Sequence, residues 1–234
     1  MTGDASTAAR ARSVPVALPL RAPLGAALVG LLALIGLAAL VLATRHGSPP
    51  ALDRAARDWS LRHRPPGLVA AARAVTTTGT GVFPYATAVI AGLIAGPDTR
   101  RRLGYAVGAL AFLLLAQGVR YGLMELIARP RPPLGDWATH ASGFAFPSGH
   151  ATTSALMAGL LLTAIGLRTR GETGPRPVRT VVAVLVVCWA AAVGLSRILL
   201  GVHWATDVLA GWLFATVWVG LGTALIRKAL PLPQ

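Results

Sequence analysis

Apolar residues fall along the chain in separated runs, and the polar stretches between them are mostly basic. Six runs are read as membrane-crossing helices: Leu24–Ala43, Gly81–Gly96, Leu103–Gly118, Ala151–Leu167, Thr180–Leu195 and Ala205–Ile226. The first holds 20 residues without a charge, enough to cross the hydrocarbon core of a bilayer. It follows Arg10, Arg12 and Arg21, as a secretory leader would. Its length exceeds the roughly 7–15 residues of a leader's apolar region, which favours an uncleaved first span. Within the spans, Gly108, Gly159, Gly211 and Gly220 are expected at helix–helix contacts, where small residues let backbones approach. Cys188 lies inside the fifth run and is expected to pack there.

Between the first two spans, Pro49-Pro50 and Pro65-Pro66 bracket the segment Ala51–His63. Leu52, Ala55, Ala56 and Trp59 share one helical face, while Arg54, Arg57, Asp58 and Arg62 are polar. The pattern predicts a short amphipathic helix on the membrane interface with Trp59 at headgroup depth. A role as a spacer fits it equally.

Composition narrows the class. Of 234 residues, 54% are hydrophobic and only 13% charged, against about 25% charged in soluble domains. The balance disfavours a water-bathed globule. The net charge of +14 might suggest nucleic acid, but the arginines lie between apolar runs instead of forming one polar face. They read as topology signals and anion ligands, with no nucleic-acid partner. A single cysteine excludes an intrachain disulfide and lacks the company of a zinc site. With the N-terminus inside, 12 of the 22 Lys+Arg fall on the cytoplasmic side, the sense of the positive-inside rule. The expectation is an all-α polytopic bundle of six transmembrane helices with a short extracytoplasmic amphipathic helix. Residues 1–23 would form a basic cytoplasmic segment, 24–226 the membrane domain and 227–234 a cytoplasmic tail. The location would be the cell membrane.

Three polar clusters then stand out. Arg129-Pro130-Arg131-Pro132-Pro133 closes the third span, Phe146-Pro147-Ser148-Gly149-His150 opens the fourth, and Ser196-Arg197 ends the fifth. His203 and Asp207 follow at the start of the sixth. Alternating topology puts all three clusters on one face, extracytoplasmic in this orientation. Arg131 and Arg197 are permanent cations with donor forks suited to phosphate. Ser148 falls at a helix N-cap, and a helix N-terminus attracts anions. His203 and Asp207, four apart, share a helical face, so the carboxylate can fix the tautomer of the imidazole. His150 adds a second titratable group. Singly these have plainer readings: a juxtamembrane anchor, a turn, a structural hydrogen bond. Ionisable residues at membrane depth are costly, and their convergence favours a site for phosphoryl transfer without a metal. His46, His63 and His140 lack such company and are expected to be solvated loop residues.

These clusters resemble the motifs of the type 2 phosphatidic acid phosphatase (PAP2) superfamily, the lipid phosphate phosphatases: Lys-x6-Arg-Pro, Pro-Ser-Gly-His and Ser-Arg-x5-His-x3-Asp. Pro147–His150 and Ser196–Asp207 match in full, and Arg131-Pro132 matches the end of the first motif. One position departs: Met124 stands where the family has lysine, with Arg120 one helical turn earlier. The resemblance implies that His203, oriented by Asp207, attacks phosphorus. It implies that Arg131, Arg197, Ser148 and the Gly149 N–H hold the phosphoryl oxygens, with Arg120 a candidate further ligand. His150 would protonate the leaving oxygen and then activate water. No cofactor or metal is implied. The implied partner is a membrane lipid phosphate in the bilayer: a polyprenyl diphosphate such as undecaprenyl diphosphate, phosphatidic acid, phosphatidylglycerol phosphate or a polyprenyl sugar phosphate. The loop Pro133–Ala145, with Trp137 and His140, sits where headgroup choice would be set. A competing class is a non-catalytic lipid-phosphate binder or transporter; a soluble vanadate-dependent haloperoxidase with related motifs is disfavoured by the spans.

Overall fold

The computed structural model describes residues 20–44, 47–169 and 176–229. Eight α-helices account for most of it: α1 Arg21–Ala43, α2 Ala51–Arg62, α3 Pro66–Thr77, α4 Phe83–Ala95, α5 Thr99–Ile127, α6 Gly149–Arg168, α7 Arg176–Leu199 and α8 Ala205–Ala229. Among the described residues there is no strand. Five of these helices (α1, α5, α6, α7 and α8) are long and apolar enough to cross a membrane. Arg10, Arg12, His46 and Arg170 lie outside the described residues.

Prolines and one aspartate set the helix starts. Pro66 and Pro84 occupy first-turn positions of α3 and α4, where the missing N–H costs nothing. Asp98 caps α5 by accepting from the Arg101 N–H at 3.0 Å. From there α5 runs 29 residues, past both ends of the expected Leu103–Gly118. The apolar run stops at Gln117 and Arg120, but the helix continues to Ile127, and Ala128 then turns the chain in the left-handed region at φ 49°.

The second expected span is the point of difference. It forms only the 13-residue α4, about 20 Å at 1.5 Å per residue, short of the ~30 Å hydrocarbon core. Before it comes α3, a helix whose weak apolar pattern did not announce it. The break at Thr78–Val82 sits against α7 and α6: a methyl at Gly79 would lie 2.6 Å from the Val193 side chain and 3.8 Å from the His150 carbonyl.

Helix α6 is the hub, packing against α4, α7 and α8, while α1 lies along α8 and α3 along α7. Small residues make the crossings. A methyl on Gly220 would meet the Pro23 carbonyl at 2.6 Å, and one on Gly159 would meet Val219 at 2.3 Å. Gly108 is different: nothing lies within 4 Å of its would-be methyl, and it borders an apolar cavity of about 330 Å³ between α4, α5, α6 and α8. Cys188 likewise does not pack inside; it is exposed on α7. Leu28, Val29, Leu32 and Ile35 of α1 are also exposed, the outward apolar surface expected of a helix facing lipid.

Helix α2 is amphipathic, but its buried face is polar. Asp53 and Ser60 are its buried residues, whereas Leu52 and Trp59 are exposed. Ser60 Oγ lies within hydrogen-bond reach of the Ile198 and Leu199 carbonyls, which docks α2 on the end of α7.

Candidate active site

The three clusters meet at one end of the bundle because of local backbone geometry. Arg197 lies in the last turn of α7, and a tight turn then carries the chain to His203 and α8. Gly201 makes that turn possible: its φ is +71°, and a methyl there would fall 2.2 Å from the Asp136 carbonyl. Ser148 begins α6, and its N–H donates to the Asp207 carbonyl at 2.9 Å. One turn further along α8, Gly211 lets the helix pass 2.9–3.0 Å (from a would-be methyl) from the Ser148 carbonyl and Thr152 nitrogen. The start of α6 is thus clamped to the start of α8.

His203 sits buried between an anion and a cation. Its Nδ1 lies 3.4 Å from Asp207 Oδ2, and its Nε2 lies 3.0 Å from Arg131 Nη1. Guanidinium can only donate, so Nε2 presents its lone pair and the ring proton belongs on Nδ1, facing Asp207. Burial pushes the imidazole down to about 4, with the Asp207 contact opposing and the Arg131 and Arg197 charges adding to the fall. His203 is therefore neutral near pH 7, the form that can attack. Arg131 is held by carbonyls: Nη1 donates to Val202 at 2.7 Å, Nε to Gly143 at 2.9 Å, and Nη2 to Ser142 at 2.7 Å and Phe144 at 3.1 Å.

Around this pair lie donors without protein partners. Arg197 Nε, Arg120 Nε and Ser148 Oγ are all buried and unpartnered, an expensive condition unless something else accepts from them. Arg197 is fixed by one bond, Nη1 to Thr76 Oγ1 at 3.0 Å. A methyl on Gly149 would lie 3.6 Å from the Arg120 guanidinium carbon, so Arg120 covers the α6 N-terminus, where first-turn N–H groups are free to bind an anion. Met124 is buried below it, its sulfur 3.6 Å from Arg120 Nη1. His150 is half-buried on the same turn and feels the charges of Arg197, His203, Arg131 and Arg120. The structure thus gathers Arg120, Arg131, Ser148, Gly149, His150, Arg197, His203 and Asp207 at one end of the bundle. His63 and His140 are exposed, and His63 stacks on Trp59 at 5.0 Å.

Sequence reasoning missed the ring behind these residues. Arg129, grouped with Arg131 by the Arg-Pro repeat, points the other way into a buried network with Asp53, Thr206 and Asp207. Asp53 is fully buried; the one hint in the sequence was an acid early in a mostly basic amphipathic segment. Thr76 and Trp204 also escaped notice, the latter donating from Nε1 to the Pro130 carbonyl at 3.0 Å.

The sequence profile of the PAP2 superfamily matches residues 104–230, more than half of the chain and all three clusters. The chain belongs to the PAP2 superfamily. It is 36% identical over 149 residues to the decaprenylphosphoryl-5-phosphoribose phosphatase of Mycolicibacterium smegmatis, covering 62% of this chain and 72% of that one. It is 39% identical over 87 residues to phosphatidylglycerophosphatase B of Escherichia coli, covering 37% of this chain and 31% of that one. The crystal structure of a transmembrane PAP2-type phosphatidylglycerolphosphate phosphatase from Bacillus subtilis superposes with a TM-score of 0.69 at 24% identity, over 90% of this chain and 98% of that one. The fold is shared. With membership goes the enzyme class: this is a multi-pass membrane lipid phosphate phosphatase.

Proposed function

We propose that this PAP2 phosphatase removes the terminal phosphate of a polyprenyl-linked sugar phosphate through a phosphohistidine on His203. The observation that carries the chemistry is the set of buried, unpartnered donors, Arg120 Nε, Arg197 Nε and Ser148 Oγ, beside a neutral imidazole whose Nε2 lone pair is held by Arg131. In the first step Nε2 attacks phosphorus and the P–O bond to the leaving alcohol breaks. His150 gives that oxygen its proton. Arg131, Arg197, Arg120, Ser148 and the Gly149 N–H hold the three equatorial oxygens; each important donor of this kind contributes about 10²–10³ in rate. In the second step His150 takes a proton from water, whose oxygen displaces the histidine and releases inorganic phosphate. Arg120 supplies the cation that Met124 does not.

The relative covering most of its own length acts on decaprenylphosphoryl-5-phosphoribose, which supports a sugar phosphate over phosphatidic acid, phosphatidylglycerol phosphate or undecaprenyl diphosphate. The broken pair α3–α4 is proposed as the sixth crossing of a 24–226 catalytic domain, between a cytoplasmic 1–23 segment and a cytoplasmic 227–234 tail. The site then opens on the extracytoplasmic face.

The test is inorganic phosphate release, with chelator present, from these four lipid phosphates by wild type, His203→Ala and Met124→Lys. The reading expects the polyprenylphosphoryl-5-phosphoribose to be cleaved best and His203→Ala to lose at least ~10³-fold in kcat while staying folded. Activity in His203→Ala removes the nucleophile assignment. Tight lipid binding without turnover in the wild type would favour a binder, the reading that Met124 in place of lysine invites. Turnover gained only in Met124→Lys would do the same.

A further inference from the structure

We propose that Asp53 and Arg129 are positioning residues for His203: a buried chain from Asp53 through Arg129 to Asp207 sets the carboxylate that faces the imidazole and ties helix α2 to the reaction. The proposal rests on the assignment of His203 as nucleophile.

The geometry is closed at every link but one. Asp53 Oδ1 accepts the Thr206 N–H at 2.8 Å, and Oδ2 accepts the Thr206 hydroxyl at 2.8 Å and Arg129 Nη2 at 2.6 Å. Arg129 Nη1 donates to Thr206 Oγ1 at 2.7 Å and to Asp207 Oδ1. The other Asp207 oxygen accepts the Trp204 N–H at 2.8 Å and turns its remaining side toward His203 Nδ1. Arg129 also stacks on Trp204, 5.6 Å from the ring centre. Asp207 therefore cannot rotate away, and its one open direction is the imidazole.

Charge arithmetic gives the chain a purpose beyond packing. Arg129 alone would neutralise Asp207, leaving the ring facing a neutral pair. Asp53 restores one net negative charge to the set of three. As Nε2 bonds phosphorus the ring becomes cationic, and that remaining charge stabilises it. Packing would need none of this, because well-packed apolar side chains stabilise a buried position at least as well as an ion triad. The charged and titratable groups around His203 are Asp207 of α8, Arg129 and Arg131 after α5, Arg197 of α7, Arg120 of α5 and His150 of α6. Asp53 of α2 lies behind Arg129.

The test uses the full chain in detergent. In Asp53→Asn, removing a negative charge disfavours the imidazolium, so the acid limb of the rate profile moves to lower pH. On dioctanoyl phosphatidic acid kcat falls about ten- to a hundredfold, the scale of a lost outer partner, with KM within about twofold. Independently of any substrate, the proton resonance of His203 Nδ1–H at pH 7, identified by its loss in His203→Gln, shifts upfield. Should Asp53→Asn not fold, Asp53→Ser, which also removes the charge and is smaller, shows the same signs. Wild-type kcat, pH limb and Nδ1–H resonance in folded Asp53→Asn, or in Asp53→Ser, overturn the proposal. A dead His203→Ala beside a wild-type-like Asp53→Asn overturns this inference alone; an active His203→Ala overturns the nucleophile assignment.

Discussion

Three helices, α5, α6 and α8, build both ends of the bundle, and they do so with opposite materials. At the end holding His203 they bring together buried ionic and hydroxyl groups whose bonds run between elements far apart in sequence, Asp53 to Arg129 and Thr76 to Arg197. At the other end they enclose, with α4, a cavity of about 330 Å³ lined by residues such as Gly104, Gly108, Phe112 and Val219, without a charged side chain. Fixed polar geometry is concentrated at the first end. The opposite end, for all its tight crossings at Gly159 and Gly220, keeps an apolar gap, and in a bilayer such a gap costs little because lipid is as apolar as the wall.

The contrast can be broken most severely at a cation. Arg197→Ala takes away a buried donor pair and should lower kcat about 10²–10³-fold, read as phosphate release, with the protein still eluting as a folded species. Next comes the clamp. Gly211→Ala forces a methyl to 2.9 Å from the Ser148 carbonyl, so α6 must shift; about 1–3 kcal/mol of stability should go, with roughly a tenfold fall in kcat from the displaced N-terminus. Thermal unfolding in detergent and kinetics on one sample check both. The titration of His203 is a gentler probe. Its ring takes up a proton only as pH falls through about 4, so its ring-carbon proton resonances should hold nearly level from pH 7 to 5. A midpoint at the ordinary histidine value of about 6.5 would contradict the burial argument.

Smallest of all is the far end. Gly108→Ala meets nothing within 4 Å, so it should leave kcat unchanged and raise stability by about 0.5–1 kcal/mol through backbone entropy. A loss of stability there as large as that of Gly211→Ala would erase the difference between the two ends.

The parts legible in the sequence were those carried by local pattern. Five long helices announce themselves by apolar length, and Pro147–His150 and Ser196–Asp207 by spacing. What stayed hidden depends on tertiary contact. Nothing in the run Arg129-Pro130-Arg131 tells which guanidinium turns toward His203 and which toward Asp53; the left-handed turn at Ala128 and the docking of α2 decide that. Helix α3 carries too little apolar length to stand out, and its Thr76 matters only because α7 delivers Arg197 beside it. Gly108 and Gly159 look alike in sequence, yet only one faces a neighbour.

Arg131 offers a last consequence. With its N–H groups spread over four loop carbonyls and the His203 lone pair, the guanidinium stoppers that lone pair. On the proposed phosphohistidine route an arriving phosphate would have to uncork it by taking one of those N–H groups for its own oxygen, baring the imidazole where there is phosphorus to meet. How readily the stopper lifts is then set by the segment Ser142–Phe144, which lies outside every motif, and two chains with identical motifs need not turn over at the same speed.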